Sequence, residues 1–219
     1  ISLLKNHKNT SIKYVDLPLS EELKISLNEI QDSIGIAIPP EGAPEGWSTE
    51  WHYELSRWFE MSTSILKRGI FLVIDYVLEA YRYYNPKRLS GTIISYRNNC
   101  ASENILYQPG YCDITSHLCL ETLLFYAEKN GWDFVGQVRQ GQALLALGLA
   151  EKLYSLSQLS KSELASALEK RENLLRLVDP YGLGEFRWIV FQVNNMNLPL
   201  VQPLVLNSRF MNEPIEPVS

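Results

Sequence analysis

Residues 69–77 read Gly69-Ile70-Phe71-Leu72-Val73-Ile74-Asp75-Tyr76-Val77. Five apolar side chains follow the glycine without a break, and four of them (Ile70, Phe71, Val73 and Ile74) are β-branched or aromatic. So short a run has no room for a buried helix, and these residue types suit a pleated surface. The pattern predicts a strand buried on both faces, as inside a parallel sheet. It delivers Asp75 and Tyr76 at its carboxyl end, the edge of an open α/β sheet at which ligands bind.

Working outward, Lys67-Arg68-Gly69 reads as a helix end, with cations at the negative pole and a glycine stop. The helix it ends is expected to be capped by Ser48 or Thr49 and to carry the stripe Trp51, Leu55, Trp58, Phe59, Ile65 and Leu66. Before it, Ser20-Glu21-Glu22 predicts another helix start, and the Pro- and Gly-rich residues 35–48 predict a loop. A short edge strand is expected within residues 11–19. After the opening strand, residues 92–96 are β-prone, residues 97–111 predict a long exposed loop, and Asp113 or Thr115 is expected to start a helix. Residues 134–138 read as a strand, 142–157 as helix with a kink or break at Gly148, 162–178 as an amphipathic helix, and 186–193 as the last strong strand. Residues 1–193 are thus expected to belong to one domain and 194–219, with Pro199, Pro203, Pro214 and Pro217, to a tail or linker. Three strong strands are too few to complete a covered parallel sheet, so the chain reads as half of an α/β domain. Its first residue, Ile1, fits a processed chain or a piece of a longer one.

Bulk composition narrows the function classes. The 219 residues are 46% hydrophobic, enough for a substantial core. Net charge is −5, and Arg82, Lys87 and Arg88 form too small a basic cluster to argue for a nucleic-acid partner. Cys100, Cys112 and Cys119 show no Cys-x-x-Cys spacing, which favours a reducing, cytoplasmic setting without a zinc knuckle. No apolar run reaches membrane-spanning length and no secretory signal opens the chain, so no membrane partner is expected.

Several motifs line up in order: Glu45-Gly46-Trp47-Ser48-Thr49-Glu50, Ile74-Asp75-Tyr76, Arg82-Tyr83-Tyr84-Asn85-Pro86, Ser90-Gly91-Thr92, Asp113-Ile114-Thr115-Ser116-His117, Gln140-Gly141, 145–149 and Asp179-Pro180-Tyr181-Gly182-Leu183-Gly184-Glu185-Phe186. Together they resemble the MidA-like family of S-adenosylmethionine-dependent methyltransferases, in its cyanobacterial form. The resemblance spans roughly residues 35–193. It implies an α/β, class I (Rossmann-like) methyltransferase fold, of which this chain looks like the C-terminal half. Residues 70–75 then stand for strand 5, 134–138 for strand 6 and 186–193 for the antiparallel strand 7. The glycine-rich loop that cradles S-adenosylmethionine is expected upstream of Ile1, on the N-terminal half of the same domain. Mitochondrial relatives methylate arginine on a complex I subunit, so the implied acceptor is a protein arginine. The sequence departs from the family at Val77, where the family has glycine, a change of backbone freedom. Two further departures, Cys119 in place of an acid and Asn99 in place of histidine, put that acceptor in question. A carrier-bound acyl intermediate of a natural-product assembly line fits those losses.

On this resemblance, His117 is the candidate catalytic base, with Asp113 and Gln140 beside it. Asp75 and Tyr76 would line the cofactor cleft, and Glu50, Tyr83, Tyr84 and Thr115 would contact the acceptor. Each has a plainer alternative. Asp113 could merely cap a helix and His117 pack, Glu50 could be a first-turn acid, Asp75 a cap, and the tyrosines and Gln140 structural. Asp113, His117 and Gln140 could also share a hard metal ion, but so few ligands make a poor signal. A domain that has lost catalysis and serves in binding or assembly is the rival of another class.

Overall fold

The protein is seen in a computed structural model that describes residues 2–6, 9–13, 15–98, 100–108 and 110–193. The proline-rich tail and Asn99, both singled out above, lie outside the described residues.

Strands β1 (Ser2–Asn6) and β2 (Asn9–Lys13) form an antiparallel pair ahead of helix α1 (Glu21–Ile34). The α1 cap is the expected one, since the Ser20 hydroxyl accepts from the Leu23 N–H at 3.3 Å. Helix α2 (Leu55–Ile65) leads into β3 (Gly69–Asp75), β4 (Val77–Leu78) and the single turn α3 (Ala80–Tyr83). Strands β5 (Ile94–Arg97), β6 (Cys100–Ser102) and β7 (Asp113–Thr115) make a small antiparallel sheet with β5 central. Next, β8 (Leu118–Cys119) pairs in parallel with β4 and runs into α4 (Leu120–Lys129). The rest is β9 (Trp132–Arg139), helices α5 (Gln140–Ala146), α6 (Leu149–Ser157) and α7 (Leu164–Arg176), and β10 (Arg187–Val193).

The main sheet has the order β3-β10-β9, with β10 antiparallel to both neighbours, so β3 and β9 run parallel. Register places Val73 opposite Ile189 and Phe71 opposite Phe191. Val135 is an extra residue in β9, a bulge that turns the strand between Phe134 and Gly136. On one face, Phe71, Phe59, Phe191 and Trp132 interlock, with ring centroids 5.6 Å apart for Phe59–Phe191 and 5.8 Å for Phe71–Trp132. These tilted and edge-on contacts are the geometry aromatic quadrupoles favour. Trp132 Nε1–H also donates to Thr63 Oγ1 at 2.7 Å, locking β9 to α2.

The expectation that β3 is buried on both faces is corrected: Ile70 and Ile74 are 36% and 44% exposed. Two causes are visible. Among the described residues no strand pairs with the β3 edge opposite β10. On that second face the helices instead pack over Val138, Trp188 and Val190, through Ala143 of α5.

Three local expectations also change. Helix α2 starts at Leu55, not after Ser48 or Thr49, because Glu50 is drawn to Thr92 and Ile93 and holds residues 49–51 out of helix. Trp51 therefore lies off the helical stripe, and Ile65 is 78% exposed. Asp113 and Thr115 start no helix; they pair as a strand with Tyr96 and Ile94, and α4 begins only at Leu120. Part of the expected 97–111 loop forms β6, hairpinned to β5 through Asn98 at φ 49°. Gly148 is a break: it takes φ 95° between α5 and α6.

Candidate functional site

The carboxyl end of β3 meets the loop between β7 and β8. Tyr76 C=O accepts from Leu118 N–H at 2.8 Å, and the Tyr76 N–H donates to Asp75 Oδ1 at 2.7 Å. The Tyr76 ring lies between Phe186, with centroids 4.0 Å apart, and His117, at 5.6 Å. His117 is therefore a loop residue, not one in the first turn of a helix as the sequence predicts. Its backbone is gripped on both sides: its N–H donates to Thr92 Oγ1 at 3.0 Å, and its C=O accepts from His52 Nε2 at 2.8 Å.

Burial, not a helix pole, pulls the His117 imidazole below its ordinary value, followed by the field of Arg88. Asp75 and Glu50 oppose that pull and Arg82 adds to it. The ring is thus neutral at pH 7, the form that can accept a proton. Asp75 is held above the usual carboxylate range by its own burial, against the Tyr76 amide and the two imidazoles, which act the other way. Asp113, expected beside His117, sits exposed on β7; Asp75 and Glu50 are the carboxylates whose charge reaches the imidazole.

Glu50 is the hub beneath this rim. Its carboxylate accepts from Thr92 N–H at 2.8 Å, Thr92 Oγ1 at 3.0 Å, Ile93 N–H at 2.9 Å and Tyr83 O–H at 3.3 Å. The preceding Gly91 adopts φ +71°, and a Cβ there would fall 2.3 Å from Glu50 Oε1. No residue with a side chain can let that carboxylate so close. The Tyr83 hydroxyl also lies 3.1 Å from His52 Nε2. Since the His117 carbonyl can only accept, His52 Nε2 carries the hydrogen and shares it between that carbonyl and the phenol oxygen. His52, Tyr83, Glu50, Thr92 and His117 therefore form one connected network.

Of the sequence candidates, the fold brings Asp75, Tyr76, His117, Glu50 and Tyr83 together, with Thr115 on the strand that leads to His117. Tyr83 is fully buried and its phenol is raised by that burial. Tyr84 is 1% exposed, a core residue whose pKa burial also raises. Gln140 is committed elsewhere: its NH2 donates to Leu177 C=O at 3.0 Å and Leu183 C=O at 2.9 Å, and its Oε1 accepts from Trp188 Nε1 at 3.2 Å. It ties the start of α5 to the turn before β10. Among the described residues no three His, Cys, Asp or Glu side chains gather to hold a metal.

His52 was missed by sequence reasoning, although a histidine two residues after Glu50 was a signal in plain view. A second missed group is Arg187, 5% exposed, which donates to Glu79 Oε1 at 2.8 Å and Gln137 Oε1 at 3.2 Å under the same strand ends. Cys119, read as a lost rim carboxylate, is fully buried, with its thiol pushed up to about 11 by burial.

An order of β3-β10-β9 with a reversed middle strand is the 5-7-6 edge of a class I methyltransferase sheet, as the resemblance implied. Residues 2–138 match the family described as "Putative S-adenosyl-L-methionine-dependent methyltransferase", and the chain belongs to that family. Two solved structures from Burkholderia thailandensis share the fold, each at TM-score 0.68 and 22% identity over 88% of this chain. One is described as a COG1565 superfamily member and "likely methyl transferase" bound to S-adenosyl-homocysteine, the other as an uncharacterized protein of that superfamily. The chain spans about half the length of these structures, 47% and 49%. No functionally curated protein matches it.

Proposed function

We propose that the chain is the acceptor-side part of an S-adenosylmethionine-dependent methyltransferase in which His117 takes the acceptor's proton. The observation that carries this is a neutral, half-buried imidazole, fixed through both its backbone groups, beside Asp75 and Tyr76 at the end of β3.

Bound cofactor supplies the methyl group on an activating sulfonium. The residues present fit one wall of a site for such a cation, because the Asp75 carboxylate at the end of β3 attracts positive charge, while Tyr76, held between Phe186 and His117, fixes the position of that wall. Among the described residues no glycine-rich turn joins a parallel strand to a helix. The main cradle is therefore assigned to the N-terminal half of the same domain, seated at the open β3 edge and covering Ile70 and Ile74.

What the chain contributes is positioning and proton removal. Positioning of well-oriented partners is worth as much as about 7–11 kcal/mol, and Glu50, Thr92 and His52 supply the rigid frame for it. A general base adds roughly 10²–10⁴-fold. Of the two acceptors, the acyl intermediate is favoured over the protein arginine. A guanidinium is best held by carboxylates with free oxygens, whereas the Glu50 carboxylate already receives four donors and Asp113 is apart from the rim. A neutral imidazole suits removal of a proton from carbon next to a carbonyl. We accordingly read the chain as a carbon-methylating domain of a polyketide-type assembly line, acting in the cytoplasm on a carrier-bound acyl group. Val77 gives no support to an inactive module: it lies in β4, paired with Leu118, in backbone that needs no glycine.

Calorimetry of the full-length protein with S-adenosylmethionine tests the reading. Saturable binding is expected, and its absence would overturn the enzyme assignment.

A further inference from the structure

The cluster set aside as too small for nucleic acid reappears as a hollow. Arg82, Asn85, Lys87 and Arg88 line an open cavity of about 460 Å³, with no carboxylate in its wall among the described residues, on a chain of net charge −5. The hollow is shaped by a preset turn. Asn85 C=O accepts from Arg88 N–H at 2.9 Å and from Trp47 Nε1 at 3.1 Å, and Asn85 Oδ1 accepts from Lys87 N–H at 2.9 Å. Arg88 Nε–H donates weakly to Arg82 C=O at 3.4 Å. Arg82 approaches only the far oxygen of Glu79, at 3.6 Å, while Arg187 holds the other oxygen at 2.8 Å. Among the described residues no salt bridge engages Lys87 or Arg88.

We propose that this hollow binds one phosphate ester, carried by the methyl acceptor or by the tether that delivers it. Two guanidinium forks and an ammonium present more donors and charge than a single carboxylate can use, and match a doubly charged tetrahedral oxyanion. A nucleic acid would want cations in a row along a face, not gathered at one hollow. Position ties the hollow to the site: the chain runs from Arg88 through Gly91 to Thr92, whose hydroxyl holds the His117 amide. Arg88 and Arg82 already act on the His117 ring through space. The inference rests on the methyl-transfer reading for what the phosphate is attached to, not for whether it binds.

The test is titration of the full-length protein with inorganic phosphate, without S-adenosylmethionine, at constant ionic strength. The wild type is expected to bind phosphate at least tenfold more tightly than the K87Q/R88Q double variant, while K129Q on α4 behaves as wild type. Circular dichroism confirms that these surface variants fold. A second readout is the His117 proton resonance. Phosphate neutralises Arg82 and Arg88 but leaves Asp75, Glu50 and the neighbouring His52 and Tyr76 in place, so the His117 midpoint moves up in the wild type and stays in the double variant. Equal phosphate affinity in wild type and double variant overturns the proposal, as does an equal response to chloride. Affinity for a single-stranded RNA that grows with its length replaces it with a nucleic-acid surface. Loss of phosphate binding by the double variant in a protein that fails to bind S-adenosylmethionine leaves the hollow standing and removes only the methyl-transfer reading.

Discussion

The clamp around Glu50 and the rim around His117 lie next to each other and are built on opposite plans. At the clamp one carboxylate receives four donors from Thr92, Ile93 and Tyr83, and Gly91 is bent into a left-handed conformation to make room. At the rim the His117 ring has an aromatic neighbour and charge around it, while among the described residues its hydrogen bonds are those of its backbone. The difference separates holding from reacting. A side chain whose lone pairs are all occupied cannot take a substrate proton, and one whose backbone alone is fixed can present a free ring in a constant place.

Removing the clamp is the severest way to break this contrast. Glu50→Ala strands four donors, each worth about 1–3 kcal/mol when buried and unpaired, so a loss of at least about 3 kcal/mol is expected by chemical denaturation. A change below about 1 kcal/mol would show that Glu50 is not the hub. His117→Ala should act the other way, leaving stability within about 1 kcal/mol while lowering methyl transfer by roughly 10²–10⁴-fold. Undiminished turnover would remove the proposed base. The same residue gives a pH signature. Its folded-state midpoint lies below the ordinary imidazole value of 6.5, so the acid limb of the rate profile should fall below that value too. Stability follows with the same sign. As pH drops below 6.5 the unfolded chain takes up the proton first, and the fold weakens through that window. An acid limb above 6.5 would contradict the burial argument. The mildest change, Val77→Gly, restores the family residue in a strand that does not need it. It should cost about 0.5–1 kcal/mol in backbone entropy and leave turnover as it was. A marked gain in rate would reassign Val77 as the residue that detunes the site.

Legibility in the sequence followed the range of the interactions. The Ser20 cap and the β3, β9 and β10 runs depend on near neighbours and period, and all could be read directly. The stretch around Asp113 misled because a polar residue ahead of an apolar helix looks like a cap. Its partners Ile94 to Tyr96 lie nearly twenty residues away and claim it as a strand. Glu50 misled for the same reason, since an acid near a helix start looks local until its hydrogen bonds to residues 83, 92 and 93 are seen.

By itself the sequence determined that Asp75 and Tyr76 end a hydrophobic strand, that His117 follows an Asp-Ile-Thr run, and that eight motifs stand in one family's order. Period, composition and motif order are properties of the linear chain, so they survive without coordinates. Tertiary structure alone decided that His52 joins His117 to Tyr83, that Gln140 is a tie across the turn before β10, and that Arg82, Lys87 and Arg88 enclose a hollow. Those outcomes depend on which distant backbone groups compete for the same lone pairs and charges. Competition of that kind is settled only when the chain has closed on itself.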